Sequence, residues 1–143
     1  MSRRPRPLPR LAAASAALAL ALGAAAQAAA ACPPARLDTA AEERLIEKLR
    51  AAPDAASARA HNAALWELWT DAPDAHAQDL LDSGMARMRM GDLRNAVKAF
   101  DELVAYCPDY AEGYNQRAFA RYLQKDFAPA LADLEAALER SPR

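Results

Sequence analysis

The chain has 143 residues, a length that predicts one domain. It contains 18 basic and 19 acidic side chains, and four of the basic ones lie within the first ten residues, where no acidic residue occurs. Without that first stretch, 14 basic side chains face 19 acidic ones and the net charge is about −5. This acidic balance argues against nucleic acid or an anionic membrane surface as the main partner.

Residues 1–31 have the three parts of a secretory signal peptide. Four arginines come first, an apolar run rich in Ala and Leu extends from Leu11 to Ala26, and small residues then lead to Cys32. The alternative cleavage sites follow Ala28 and Ala31. Because the apolar run is short and rich in alanine for a membrane span, we expect no span after cleavage.

Plain export to the periplasm or the outside is favoured over two alternatives. Ser2-Arg3-Arg4 matches a twin-arginine signal only weakly, since no apolar pair follows it. Three alanines before Cys32 resemble a lipoprotein site, but the Leu usually found three residues before the cysteine is absent.

The rest of the chain predicts helices joined by short breaks. Apolar residues recur at the i, i+3, i+4 spacing of an amphipathic helix, and pairs such as Pro53-Asp54 and Gly91-Asp92 interrupt the periodicity. No segment alternates with period two, so the predicted fold class is all-α, with about six antiparallel helices. The predicted helices are 39–51, 55–69, 75–90, 93–106, 110–124 and 127–140.

Two of these helix pairs repeat with a period of 34 residues. Counted from Ala77 and from Ala111, small residues match small ones, large apolar residues match large ones, and proline matches proline. The ten residues are Leu80, Gly84, Ala96, Phe100 and Pro108, then Tyr114, Ala118, Ala130, Leu134 and Pro142. This arrangement resembles the tetratricopeptide repeat, which implies an α-α superhelix of stacked helix hairpins.

The resemblance implies a role for each repeated position. Gly84 and Ala118 would let the first helix of a repeat approach the second at Ala96 and Ala130, and Phe100 and Leu134 would fill the gap between repeats. Ser83 and Arg117 stand where the repeat usually has Leu. Arg87 and Arg121 stand where it usually has Tyr. The expected division is signal peptide 1–31, tail 32–38, degenerate repeat or capping pair 39–72, and repeats 75–109 and 110–143. The two tryptophans of the first pair are expected to pack onto the following repeat.

Nothing in the sequence predicts catalysis, a cofactor or a metal. His61 and His76 are 15 residues apart without a further ligand at a useful spacing. Met85, Met88 and Met90 could suit Cu(I), but methionine is also a gap-filler on binding surfaces. No nucleophile elbow, phosphate-binding loop or zinc-protease motif occurs.

Cys32 and Cys107 leave two alternatives open. In an oxidising compartment they could form a disulfide that closes a loop of 75 residues and contributes about 4 kcal/mol on the entropic estimate. Otherwise Cys32 belongs to a loose or lipidated tail, and Cys107 is an ordinary residue at a helix end.

The resemblance also implies a concave groove, lined by the first helix of each repeat, that takes a peptide or helix of another protein. The residues at the corresponding positions include an apolar, adaptable strip that Arg89 and Arg121 are expected to flank. They are Gln78, Leu81, Met85, Met88 and Arg89, then Glu112, Asn115, Phe119, Tyr122 and Leu123. Some members of the family grip a terminal carboxylate with Lys and Asn, but Leu81 and Met85 stand at those positions, so that mode is not expected.

The last helix has an apolar outer face with no predicted helix to cover it. Phe127, Leu131, Leu134 and Leu138 form that face, and such faces are binding or aggregation sites. The expectation is that the natural chain continues, or that another subunit or a second copy covers the face. The expected function is that of an exported protein-binding scaffold without catalysis. The alternative is a lipid-anchored accessory subunit of a cell-envelope assembly.

Overall fold

The computed structural model describes residues 31–35 and 38–142. The signal peptide predicted for residues 1–31 lies, except for Ala31, outside the described residues. Six helices follow one another: α1 (Thr39–Arg50), α2 (Ala55–Trp69), α3 (Ala75–Arg89), α4 (Leu93–Tyr106), α5 (Ala111–Leu123) and α6 (Phe127–Arg140). Residues 31–35 and 38–142 contain no strand, and none of their helices is long and apolar enough to cross a membrane. The predicted all-α fold is confirmed.

Aspartates begin the first three helices. The side chain of Asp38 accepts a hydrogen bond from the backbone N–H of Ala41, and Asp74 accepts one from Ala77, each at 2.8 Å. Asp54 does the same for Ser57 at 2.7 Å. Each carboxylate satisfies a backbone donor that the first helical turn leaves without a partner. The Pro-Asp pairs that predicted breaks in the sequence therefore end one helix and begin the next.

The turn inside each repeat has the same left-handed residue. Gly91 has φ 76° and Lys125, 34 residues later, has φ 64°. In both turns two backbone N–H groups bond back to the end of the preceding helix: Gly91 to Met88 and Asp92 to Arg87, then Lys125 to Tyr122 and Asp126 to Arg121. This is the Schellman arrangement, in which glycine is favoured because it has no Cβ. The 34-residue period is thus a backbone period as well as a side-chain one.

The core lies between α3, α4 and α5. Ala77, Leu81 and Gly84 form a buried stripe on α3 at the i, i+4, i+7 spacing, and Phe100 and Leu103 face it from α4. A Cβ on Gly84 would lie within 2.7 Å of three ring carbons of Phe100. Gly84 is therefore needed for the approach of Phe100 itself, a neighbour that the repeat pattern alone did not identify.

Ala96, Ala118 and Ala130 are buried as the repeat pattern predicts. Leu134 differs from its counterpart Phe100. Phe100 is completely buried, whereas Leu134 is 42% exposed, because no described helix packs over α6 as α5 packs over α4.

Three links hold the first helix pair to the repeats. The hydroxyl of Tyr110 donates to the backbone oxygen of Trp69 at 2.7 Å. The backbone N–H of Ala72 donates to the Gln78 side chain at 2.9 Å. Cys32, which precedes α1, is joined by a disulfide to Cys107, the residue that caps α4.

Within the first pair, Trp69 and Glu42 bind one another. The indole Nε1 of Trp69 donates to Glu42 Oε1 at 2.9 Å, and the Glu42 side chain is buried. This bond fastens α1 to α2 and fixes the ring of Trp69 at the end of α2, where its backbone oxygen receives Tyr110.

Candidate functional site

Two adjoining cavities follow α5 and α6 along most of their length. The larger one, which we call the groove, has a volume of about 800 Å³. The smaller one, the acidic cavity, has a volume of about 420 Å³ and lies at the end where α5 begins and α6 finishes. Asn115 and Leu134 line both cavities, so the two adjoin each other, and together we call them the depression.

Bulky apolar side chains from four helices line the groove. They come from the end of α2, the second half of α3, the second half of α5 and the first half of α6. They are Trp66, Met85, Met88, Phe119, Tyr122, Leu123, Phe127, Leu131 and Leu134. Arg89 is the charged residue among the lining side chains, and it forms no ion pair with any described residue.

Helical periodicity brings these side chains to one surface. Met85 and Met88 are three residues apart on α3, and Asn115, Phe119 and Tyr122 follow the i, i+4, i+7 spacing on α5. Phe119 is 52% exposed and Tyr122 is 58% exposed. Contiguous exposed apolar side chains of this size are characteristic of interaction surfaces.

Glu112 lines the acidic cavity, and seven of the ten residues predicted to line the groove do so in the structure. They are Met85, Met88, Arg89, Asn115, Phe119, Tyr122 and Leu123. Leu81 does not, and this part of the prediction is wrong. It is completely buried because it belongs to the stripe of α3 that faces the core. Gln78 lines neither cavity, since its side chain binds the backbone of Ala72 and donates to Asp82 at 3.1 Å.

The apolar face of α6, which the sequence predicts to be uncovered, forms one wall of the groove. Phe127, Leu131 and Leu134 belong to the same lining as the methionines of α3. Leu138 continues the face into the acidic cavity. Their i, i+4, i+7, i+11 spacing identified the face, but only the packing of α5 against α6 shows that it adjoins the predicted groove.

Three carboxylates line the acidic cavity: Asp71, Asp109 and Glu112. Glu112 lies in the first turn of α5 and is only 7% exposed. Its Oε1 accepts from the side-chain amide of Gln116 at 2.6 Å and its Oε2 accepts from that of Asn115 at 3.0 Å. Burial raises the pKa of Glu112, and these two hydrogen bonds oppose the rise.

The arginines that replace apolar residues in α5 bind aspartates of the neighbouring helices. Arg117 donates two hydrogen bonds to the buried carboxylate of Asp133 on α6, at 3.0 and 2.6 Å. It also donates one to Asp101 on α4 at 2.8 Å. Arg121 binds Asp133 at 2.6 Å. Burial alone would lower the pKa of Arg117, but its bonds to Asp133 raise it. Arg121 therefore joins α5 to α6 and does not flank the groove.

The described residues contain no cluster of three or more His, Cys, Asp or Glu side chains that could hold a metal ion. His76 packs edge-on against the ring of Tyr106, with the ring centres 4.7 Å apart.

Paired helices, a 34-residue period and small residues at the helix contacts define a helical-repeat protein of the solenoid kind. The chain is similar, over less than half of its length, to proteins of the tetratricopeptide-repeat family. It is similar to tetratricopeptide repeat protein 36 of Mus musculus, with 42% identity over 66 residues, which are 46% of this chain and 36% of that protein. The same protein of Homo sapiens is 45% identical over 58 residues, 41% of this chain and 31% of that protein.

A bacterial relative is protein FlbA of Caulobacter vibrioides, 41% identical over 59 residues, which are 41% of this chain and 10% of that protein. The chain spans about a third or less of the length of these relatives. No model of a known protein family matches the chain, and no solved structure matches it.

Proposed function

We propose that the protein is an exported interaction module that holds a helical segment of another protein in the groove and has no catalytic activity of its own. The observation that carries this proposal is the groove itself, an exposed apolar surface walled by α3, α5 and α6. An α-helix of 13 residues, the length of α5, spans about 20 Å. A partner helix of three to four turns would therefore match the depression.

The chemistry of the lining suits a protein partner. Aromatic side chains such as Phe119 and Tyr122 provide the large contacts that dominate many interfaces. Met85 and Met88 can adapt their side chains to different surfaces. Asn115 and Arg89 supply polar groups at the rim.

The experiment compares partner capture by matched variants. Met85→Glu and Phe119→Glu place a charge in the groove and are expected to abolish capture from envelope extracts, with the helical circular dichroism unchanged. Met90→Glu is the control, because Met90 is 74% exposed and lines neither cavity. Partners held equally by all three variants would remove the groove from the function.

Export is supported by the predicted signal peptide and by the disulfide between Cys32 and Cys107, since such bonds persist in oxidising compartments. The disulfide also occupies the sulfur of Cys32 that a lipid anchor would need, which favours a periplasmic or secreted protein over the lipid-anchored subunit. Mass spectrometry of the mature protein tests both points. A mature chain that retains residues 1–20, or one that carries a lipid on Cys32, would contradict the proposal.

Self-association is the second candidate, because Phe127, Leu131 and Leu138 are each more than half exposed. A second copy seated on α6 would cover the same leucines that wall the groove, so it would compete with a partner. Light scattering at increasing concentration tests this candidate. The expected result is a dimer that Leu131→Glu dissociates, and a monomer at all concentrations would exclude it.

A further inference from the structure

The acidic cavity contains negative charge that the described part of the chain does not neutralise. Asp71, Asp109 and Glu112 line it, and none of the three lies within ion-pair distance of a described basic side chain. Burying a carboxylate without a cation costs free energy of folding. A residue with only a structural role would not be expected to carry this cost, as Glu112 does.

The basic residue in the wall of this cavity is already engaged. The guanidinium of Arg140 lies over the ring of Tyr114, 4.1 Å from its centre. It also donates to the backbone oxygens of Pro108 at 2.5 Å and Ala136 at 2.6 Å. Arg140 is therefore turned toward the ring and the backbone and makes no ion pair with Glu112.

Glu112 retains capacity to accept further hydrogen bonds. Each of its two oxygens accepts one bond, from Gln116 and from Asn115, whereas an ionised carboxylate offers about four acceptor positions. The two amides also hold the carboxylate in one orientation, which reduces the entropy that a ligand would have to remove on binding.

One wall of the cavity, on α6, has apolar side chains that suit the stem of a lysine. Leu134, Ala137 and Leu138 of α6 line the approach to the carboxylates. Lysine buries its four-carbon stem along such surfaces while its ammonium group reaches a polar site. The opposite end of the depression is lined by Arg89, which pairs with no described acidic side chain, so the two ends differ in sign.

From this charge pattern we infer that the partner segment in the groove carries a lysine, or another basic side chain, at the end that meets α5's first turn, and that this side chain pairs with Glu112. The inference rests on the proposed function, since it names the chemistry of the partner in the same groove. It also assigns Glu112 to recognition of the partner's charge rather than to holding the fold.

The test uses three synthetic amphipathic peptides of about 15 residues, a length that spans about 22 Å as a helix. They share one Leu-rich sequence and differ in polar end residues: one has Lys near its amino end, one has Lys near its carboxyl end, and one has Gln at both places. Fluorescence anisotropy measures their binding to the protein, to Glu112→Gln and to the control Glu102→Gln. Glu102 is exposed on α4 and lines neither cavity.

At least one lysine peptide is expected to bind the protein about tenfold more tightly than the glutamine peptide, which is the effect of one good hydrogen bond to a charged group. Glu112→Gln removes that preference, and Glu102→Gln keeps it. Equal binding of all three peptides, a preference that survives in Glu112→Gln, or no binding of any peptide at about 1 mM would each overturn the inference.

The two proposals fail in distinguishable ways. Binding of the glutamine peptide that Met85→Glu abolishes supports the groove, whether or not lysine adds affinity. A lysine preference that Glu112→Gln removes supports the acidic cavity in particular.

Discussion

Replacing Gly84 by alanine has two opposing effects on the stability of the protein, and the sign of each is known. Alanine is favoured over glycine inside a helix by about 1 kcal/mol, so propensity alone predicts a more stable protein. The added Cβ, however, would lie within 2.7 Å of three ring carbons of Phe100, where carbon atoms normally approach to about 3.5–4.0 Å. The ring of Phe100 is completely buried, and protein cores leave few voids into which a ring could move.

The packing effect is expected to win. Overpacking a well-filled core costs about 1–3 kcal/mol, and an overlap of roughly 1 Å with a fixed ring belongs at the upper end of that range. After the gain in propensity is subtracted, Gly84→Ala is expected to lower the free energy of unfolding by about 1–2 kcal/mol. Urea denaturation followed by circular dichroism, with the disulfide intact, measures this difference.

Gly113→Ala is the matched control. Its Cβ would lie 3.2 Å from side-chain carbons of Leu103 and Val104, a contact that a few tenths of an ångström relieve. The unfolding free energy of this variant is expected to stay within about 0.5 kcal/mol of the wild-type value, since propensity offsets the tighter contact. A Gly84→Ala protein as stable as the wild type, or as stable as Gly113→Ala, would refute the reasoning.

Three further substitutions test other parts of the structure. Asp133→Asn removes the buried partner of Arg117 and is expected to cost about 3 kcal/mol, whereas Asp101→Asn, at an exposed partner, should cost about 1 kcal/mol or less; equal losses in urea denaturation would contradict the ranking. Lys125→Gly relieves a residue with φ 64° and is expected to add about 0.5–1 kcal/mol, and a lower melting temperature would contradict that. Burial raises the pKa of Glu112, so the folded state loses stability as the pH rises from the ordinary pKa of 4.5 through the raised one. Glu112→Gln should therefore be more stable than the wild type at pH 7 but not below pH 4.5. A gain in stability that is independent of pH would show that the charge is not the cause.

The helices and the repeat could be predicted because their causes are local. Pro-Asp pairs, the glycine at 91 and the 3.6-residue periodicity act within one helix or turn, and the observed helix ends differ from the predicted ones by at most one residue. The groove residues of α3 and α5 followed from the resemblance to a repeat. The prediction for Leu81 was wrong because Leu81 lies within the buried stripe of α3, between Ala77 and Gly84, and faces the core.

The remaining features depend on contacts between distant segments. Arg117 and Asp133 are 16 residues apart on different helices, so their pairing could not be read from either helix alone. An arginine at a position where the resemblance implies an apolar residue was the available clue, and its acidic partner was not predicted. Glu112 resembled an ordinary first-turn glutamate, which favourably meets the helix dipole, and only the packing around it shows its burial.

The disulfide divides the chain into a closed part and an open part. The covalent loop from Cys32 to Cys107 contains α1 to α4, so a protease that cuts a single peptide bond there leaves one covalent molecule, and both halves remain held together. α5 and α6 lie outside the loop. One wall of the groove, on α3, therefore belongs to a cross-linked body. The other belongs to a hairpin that continues from Cys107 outside the loop and is held against that body by packing and by bonds such as that of Tyr110. A partner that widens the groove would move the hairpin and leave the cross-linked body in place.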